Sequence, residues 1–247
     1  MSLLAPPRRF DPAIPEMMDR PGQDFRLLRE DLHVLETINR FLGGHRIALH
    51  YVRELPGTWN TTRPLTVLDL ATGLADVPRR IVRRARATGL QVQITAVDAN
   101  PDILILARES CVGWPEICIE QQNILALPYP SDSFDIVLCA LALHHFGESD
   151  VVAILGRIRD IARIGYAVND LRRNRIAIWL SKLMAHTIIT NPIARFDAPA
   201  SCERAFTLAE LGELARRAGM RNFQVRRHLV FRMAVAGRKQ VDNAPTS

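Results

Sequence analysis

The sequence predicts an α/β chain: an open, mostly parallel sheet of seven strands with an antiparallel C-terminal strand, N-terminal helices ahead of it and a helical insertion after strand five. Three observations lead there. From residue 65 onward, short apolar runs of the kind a strand buried on both faces requires ("LTVLDL", "VQITAVDA", "EICIEQQN", "SFDIVLCAL", "IGYAVND") alternate with helical patterns. Such alternation is the mark of right-handed strand–helix–strand units in a parallel sheet. The last two runs, "RNFQVRRH" and "LVFRMAVAGRK", share only a tight link at about Arg227 and His228, which forces them antiparallel.

Prolines at 6, 7, 12, 15 and 21 predict an extended, loosely held arm at the start of the chain. Leu28, Leu32, Leu35, Ile38 and Leu42 then recur at helical intervals until Gly43 and Gly44 end the run, and a second helix follows from about His45 to Leu55. "ADVPRRIVRRARATG" reads as a helix with Ile81, Val82 and Ala85 inward and its arginines on a solvated face. Asn100 and Pro101 supply the cap and first position of the helix in "NPDILILARESC". "SDVVAILGRIRDIAR" is the helix before strand five. Residues 171–206 then read as helix, loop and helix over the carboxyl edge of the sheet, and "TLAELGELARRAGM" opens with Thr207 and Glu210 at capping-box spacing. The expected division is an arm with lid helices over residues 1–60 and a core over 61–247, with the insertion at 171–206.

A length of 247 residues with 48% hydrophobic content suits one large domain with appendages. Cys111, Cys118, Cys139 and Cys202 lack metal-ligand spacing and no secretory leader precedes them, so they read as reduced packing thiols of a cytoplasmic protein without a metal. The apolar stretch Ile176 to Ala194 is broken by Ser181, Lys182, His186, Thr190, Asn191 and Pro192 and is not a transmembrane segment. The net charge of +6 is compatible with a nucleic-acid or anionic-lipid partner, yet the arginines are dispersed rather than blocked. A solvated face is the simpler reading. A monomer or homodimer acting on a small molecule, with no nucleic acid, is expected.

In open parallel sheets, ligands bind beyond the carboxyl ends of the strands, where strand order reverses. The first strand runs into "DLATGLAD", where Gly73 can take a positive φ and Ala71, Thr72 and Ala75 leave room. Helix amides follow at once, so a polar ligand end is favoured there. The second strand ends at Asp98, twenty-five residues after Gly73, where a carboxylate can accept both hydroxyls of an adenosine ribose. Its competing role is to cap the next helix, a place Asn100 already fills. Leu74, Ala75 and Asp76 replace the Gly-Lys-Ser/Thr of a triphosphate loop, and the turn lacks the GxGxxG spacing of a dinucleotide fold. Asp69, at the end of the first strand, would repel phosphate and suits a cation. Adenosine at one end with ammonium and sulfonium near the other describes S-adenosylmethionine.

The order "VLDLATGLAD", "ITAVDANPDIL", "NILALPYPSDSFDIVLCALALHHF" and "AVNDL", over roughly residues 65 to 240, resembles the class I S-adenosylmethionine-dependent methyltransferases and, within them, the ubiquinone-biosynthesis group. "PEMMDRP", "INRFLGG", "VNDLRRNR" and "RAFTLAEL" are similar to small bacterial methyltransferases found beside type III polyketide synthases. The resemblance implies a Rossmann-like core with S-adenosyl-L-methionine as cofactor. It implies that Asp69 and the turn of Ala71, Thr72 and Gly73 line the methionine end, that Asp98 holds the ribose and that Ala99 touches adenine. Asn123 would stand near the adenine amino group, with Ile124 on the ring and Cys139 bordering the methionine portion through its main chain. Alanine at 71 and 75, where the family often has glycine, would narrow the pocket.

Methyl transfer from a sulfonium disperses positive charge, so in-line positioning and exclusion of water carry much of the rate. A phenol or alcohol acceptor gains from losing its proton, which a neutral imidazole accepts near pH 7. "LALHHF" places His145 and His144 just past strand four, His145 as the first candidate base and His144 as its substitute. Their bland alternative is to orient a loop or fill a cavity beside Phe146. Asp170, closing strand five, can bind substrate, cap a helix or pair with Arg172, pairing being the default. The insertion offers Ile176, Ile178, Trp179, Leu183, Met184, Ile188 and Ile189 as an apolar lining, with Arg195 and Arg204 as charges for an acidic or phenolate group. The expected reaction is O-methylation of a small hydrophobic hydroxylated compound. A nucleic-acid methyltransferase and a cofactor-binding scaffold without turnover are the competing readings.

Overall fold

The structure, a computed structural model, describes residues 5–20, 22–56, 63–229 and 231–239. The boundary between appendage and core expected at residue 60 lies outside the described residues. Seven strands form one sheet in the order β3-β2-β1-β4-β5-β7-β6. They are β1 (Leu65–Leu70), β2 (Val92–Asp98), β3 (Ile117–Gln121), β4 (Phe134–Ala140), β5 (Ala162–Leu171), β6 (Phe223–His228) and β7 (Arg232–Arg238). β7 alone runs antiparallel, between β5 and β6. β5 begins at Ala162, earlier than its apolar run suggests, because Ala162 is buried in the core and Arg163 reaches Asp135 on β4. The link between the last two strands falls after His228 rather than at it, since His228 still pairs with Arg232.

Eight α-helices lie around the sheet among the described residues: α1 (Phe25–Phe41), α2 (Gly44–Glu54), α3 (Asp76–Thr88), α4 (Pro101–Ser110), α5 (Glu148–Ile161), α6 (Arg175–Thr187), α7 (Pro192–Arg204) and α8 (Leu208–Arg217). The central strands are apolar on both faces, as burial on both sides demands. Along β4, Ile136 and Leu138 join the cluster of α2 and α3, whereas Val137 and Cys139 join that of α5 and α8. A third cluster sits over the carboxyl edge, where Leu28 and Leu32 of α1 and Ile193 of α7 meet Leu74 of the β1 turn and Ile103 and Leu106 of α4. α3 keeps Ile81, Val82 and Ala85 buried and Arg83, Arg84 and Arg86 exposed. Local capping agrees with the sequence: Thr207 and Glu210 form a reciprocal box, and Asn100 and Asp24 each accept two helix amides. The four cysteines are free. No helix among the described residues is long and apolar enough to cross a membrane.

The proline-rich arm is tied down rather than loose, because its polar groups reach partners that are themselves desolvated. Arg8 Nε donates to the Arg204 carbonyl at 2.5 Å and its guanidinium lies 3.8 Å from the Phe206 ring centroid. The Met17 and Met18 amides donate to the two Asp197 oxygens at 2.7 and 3.0 Å. The arm thereby crosses the insertion and reaches the carboxyl edge of the sheet.

At the opposite end, Asp135 at the start of β4 is fully buried and accepts from Arg63 (2.6 and 2.7 Å), the Thr66 amide and hydroxyl (both 3.0 Å) and Arg163 (2.7 Å). Burial alone would raise its pKa, but the arginines and Thr66 outweigh it and hold the carboxyl well below the usual range. Its contribution to stability is therefore present above the unfolded carboxylate pKa and fades as pH falls through the folded value. Asp135→Ala should lower the unfolding free energy by about 2–3 kcal/mol, less than for a fully buried pair since both arginines keep nearly half their exposure. Urea unfolding at pH 7 and pH 3 reads this, with the gap between variant and wild type expected to shrink at the lower pH.

Candidate active site

Sequence order reverses between β1 and β4, which are hydrogen-bonded neighbours, so their carboxyl ends mark the switch point of the sheet. The turn leaving β1 is built from three left-handed residues, Ala71 (φ 53°), Gly73 (φ 54°) and Ala75 (φ 54°). The Thr72 amide donates to the Val97 carbonyl and the Ala75 amide to the Thr72 carbonyl, each at 2.9 Å, which pins the turn against β2. A Cβ placed on Gly73 would meet only Leu32 Cδ2, at 4.0 Å. The glycine therefore turns an open face outward.

Two carboxylates frame this turn. Asp69 is buried, its Oδ2 accepting from Thr72 Oγ1 at 2.7 Å. Burial, reinforced by the charges of Asp76 and Asp98 and opposed by the Thr72 bond, pushes its pKa up to about 7. Asp98 accepts from the Gly73 amide and from the Asn100 amide, both at 3.1 Å. Burial still leaves its pKa raised, despite these amides.

A cavity of about 860 Å³ begins at this turn. Asp69, Ala71, Thr72, Gly73, Asp98, Ala99, Ile124, His144 and His145 all line it, so most of the sequence-predicted set shares one wall. It continues between the arm, α1 and the insertion, past Leu35, Leu42, Leu180, Met184 and Ile189 to Ser201 and Cys202. Sequence reasoning missed Glu16, Asp19, Asp31 and Gln122 on the same wall. Glu16 and Asp19 stand in "PEMMDRP", a phrase that assigned them no role, Asp31 carries no motif, and all three arrive through long-range packing.

Six predicted residues stand elsewhere. Asn123 is exposed and its Oδ1 accepts from the Leu125 amide, capping a short 3-10 turn, so Gln122 takes the cavity position. Cys139 lies within the sheet, and Ala140 and Leu141 beyond it border the cavity. Asp170 is sealed behind His144 and has no face on the cavity. Trp179 is 62% exposed, because α6 turns Ala177, Leu180, Ser181 and Met184 inward and Trp179 to the opposite side. Arg195 is exposed, its Nε donating to the Ala185 carbonyl at 2.9 Å near the end of α6. Arg204 is buried and spends its charge on Glu16 (3.5 Å) and its hydrogen bond on the Ile14 carbonyl.

The histidine pair follows β4 in a 3-10 turn (Leu143–His145). His144 Nδ1 is 2.6 Å from Asp170 Oδ1, and its amide donates to Asp170 Oδ2 at 3.0 Å. His145 Nδ1 is 2.6 Å from Asp19 Oδ2 of the arm. Burial alone would lower the His145 pKa, but the Asp19 bond and the charges of Glu16, Asp19 and Asp170 raise it to about 9. The free neutral imidazole expected at this position is thus a protonated one at pH 7.

Residues 67–165 match a methyltransferase domain family. The chain is 39% identical over 87 residues to a demethylmenaquinone methyltransferase of Deinococcus radiodurans, a match covering 34% of each protein. It is 33% identical over 123 residues to a ubiquinone/menaquinone biosynthesis C-methyltransferase of Shewanella pealeana, covering 47% of this chain and 45% of that one. Over residues 67–165 the core is similar to a methyltransferase domain, and its sheet has the Rossmann-like class I methyltransferase fold. The match spans a third to a half of the length of these curated relatives. A solved S-adenosylmethionine-dependent methyltransferase from Aquifex aeolicus shares the fold at a TM-score of 0.56 and 16% identity, over 94% of this chain and all of that one. The open face of Gly73 leaves room for a ligand beside the main chain, and Asp69 and Asp98 present carboxylates to the same cavity.

A cation beside Asp69 favours its ionised form, so cofactor binding should release a proton and strengthen as pH rises through 7. Calorimetry with S-adenosylhomocysteine, which retains the ammonium, is expected to show affinity about tenfold higher at pH 8 than at pH 6. A flat profile would mean that Asp69 stays clear of the cation.

Proposed function

We propose that the protein transfers the methyl group of S-adenosylmethionine to a small, apolar, hydroxylated ring compound, of the phenol, quinone or polyketide-derived class, at oxygen. The observation that carries this reading is the continuity of one cavity from Gly73 and Asp98, past His144 and His145, into the apolar wall formed by α1 and the insertion. Donor and acceptor can share that space in line, with water kept out by the arm. Asp69 and the turn of Ala71, Thr72 and Gly73 hold the methionine end, Asp98 the ribose, and Ala99, Ile124 and Gln122 the base. When bound, the cofactor supplies an electrophilic methyl on sulfur.

The acceptor side is the cavity beyond the histidines. Leu42, Leu180, Met184 and Ile189 favour an apolar ring, while the charged edge at Glu16, Asp19 and His145 meets its oxygen. The acceptor reacts as an oxyanion whose proton has passed to water, and a protonated His145, its ring held by Asp19, hydrogen-bonds that oxygen and positions it for the methyl group. The exposed Trp179 and Arg195 take no part, and Arg204 and Asp170 act only through Glu16 and His144. A second reading, transfer to ring carbon beside the hydroxyl, is favoured by the relatives named as a demethylmenaquinone methyltransferase and a C-methyltransferase. Both reactions start from the same deprotonated oxygen.

Incubation with methyl-labelled donor and a panel of phenols, hydroquinones, catechols and tRNA separates these outcomes, and the position of the label in the product tells oxygen from carbon. Label in a ring compound supports the proposal; label in tRNA alone overturns it. Gly73→Val puts a branched side chain into the open face and at a positive φ. It should weaken donor binding by about tenfold or more, a loss of over about 1.4 kcal/mol, and abolish transfer.

A further inference from the structure

Both imidazoles of the histidine pair are oriented from behind. His144 Nδ1 faces Asp170 and His145 Nδ1 faces Asp19, each at 2.6 Å. A carboxylate on Nδ1 takes that proton as its hydrogen bond and leaves Nε2 as the nitrogen that carries a lone pair in the neutral ring. Both Nε2 atoms point to one glutamate of the arm: His144 Nε2 is 3.8 Å from Glu16 Oε1, and His145 Nε2 is 3.8 Å from Glu16 Oε2. The three ligand atoms lie within 4.8 Å of one another. Two donors bound to a common ion at about 2.1 Å stand roughly 3 to 4 Å apart, depending on the angle between them.

Glu16 is the second, independent observation. It is 2% exposed, and its Oε1 accepts no hydrogen bond among the described residues, although Oε2 accepts from Ser201 Oγ at 2.8 Å. A buried carboxylate oxygen left without a donor is costly, and an ion offers it a partner. Arg204, at 3.5 Å from Oε1, is the one guanidinium among the described residues in contact with it. Against that charge stand Glu16, Asp19 and Asp170, so the cluster is net negative when both imidazoles are neutral.

We propose that Glu16, His144 and His145 bind one divalent transition-metal ion, of the Zn²⁺, Fe²⁺ or Co²⁺ type, on the cavity wall. Two imidazoles and a carboxylate form the nitrogen-and-oxygen set that borderline divalent ions take while leaving positions open to a further ligand. Asp170 and Asp19 are its positioning residues, since a carboxylate behind a ligating histidine fixes both tautomer and ring direction. Resting on the proposed acceptor site, the inference also assigns the ion a task. An acceptor hydroxyl that reaches it exchanges its O–H bond for an O–metal bond, and the proton passes to water.

The test uses the whole chain, stripped with a chelator and dialysed, titrated with Zn²⁺ by calorimetry and with Co²⁺ by visible absorption. One ion per chain is expected, with a cobalt spectrum of nitrogen and oxygen ligation. Glu16→Gln and His144→Ala should each remove the site, Asp170→Asn should weaken it on the order of 10- to 100-fold, and His186→Ala, on the exposed side of α6, should leave it unchanged. A folded wild-type chain that takes up neither ion, or uptake equal in Glu16→Gln and wild type, overturns the proposal. S-adenosylhomocysteine is titrated into the same preparation. Donor binding without metal binding sinks only the ion site, whereas metal binding without donor binding leaves the ion site standing and removes the reading of the cavity.

Discussion

The structure is organised around negative charge taken out of water at the carboxyl edge of the sheet. Glu16, Asp31, Asp69 and Asp197 are all buried there and Asp98 is half-buried, and an ionised carboxylate in such a place must find donors, a cation or a proton. Each of the three solutions is in use. Asp98 takes the amides of Gly73 and Asn100, and Asp197 takes those of Met17 and Met18. Glu16 takes the Arg204 cation, and Asp170 takes the His144 amide and ring nitrogen as hydrogen-bond partners. Asp31, desolvated and facing Asp197 and Glu16, has its pKa pushed up to about 7, and Asp69 to the same value. A cavity with this many acids and so few cations is built to receive positive charge.

That requirement accounts for the appendages as much as for the core. A strand–turn–helix corner with Asp69 and Asp98 would be open to solvent if the sheet stood alone, and its carboxylates would be ordinary. The arm and α1 close over it, with Leu28 and Leu32 packed on Leu74 and the arm's amides on Asp197. Desolvation then follows from packing, and the raised carboxyls follow from desolvation. At the amino edge the same chemistry runs the other way: Asp135 is equally buried but meets two arginines and a threonine, and its carboxyl is held low. One edge is finished within the chain, and the other is left short of cations.

The fold was legible because its signals are local. Continuous apolar runs, Asn100 with Pro101, the Thr207–Glu210 box and the short final link each specify an element without knowledge of the rest. The cavity end at the β1 turn, which the proposal gives to the donor, gathers most of the residues expected there, and the departures are one residue in size: Gln122 lines it in place of Asn123, and Ala140 in place of Cys139. The acceptor side was not legible. Glu16 and Asp19 sit in "PEMMDRP", a proline-rich stretch whose composition suggests extension and whose resemblance assigned them no role, and their partners lie far along the sequence. Trp179 misled because apolar size on an amphipathic helix does not say which face is inward, and Arg204 because a charge satisfied by Glu16 is indistinguishable in sequence from one awaiting substrate.

The two alanines of the β1 turn show how geometry revises a substitution read from sequence alone. Ala71 and Ala75 both hold the left-handed conformation that glycine adopts freely, at a cost of about 1–2 kcal/mol each. Leu141, after β4, holds it as well (φ 56°), so both loops at the switch point carry such strain, as do Asp132, Asn222 and Phe231 elsewhere. Only one of the added methyl groups concerns the ligand space. Ala71 borders the cavity, whereas Ala75 is fully buried and packs with Val77, Ile81 and Leu138 under the turn. Its methyl thickens the floor beneath the donor turn instead of narrowing the pocket, and burial there offsets part of the conformational cost. Gly73, the one turn position that must stay bare, remains glycine. The case for a scaffold that has lost its donor pocket therefore loses its main support, since the turn keeps its open face where a ligand would pass.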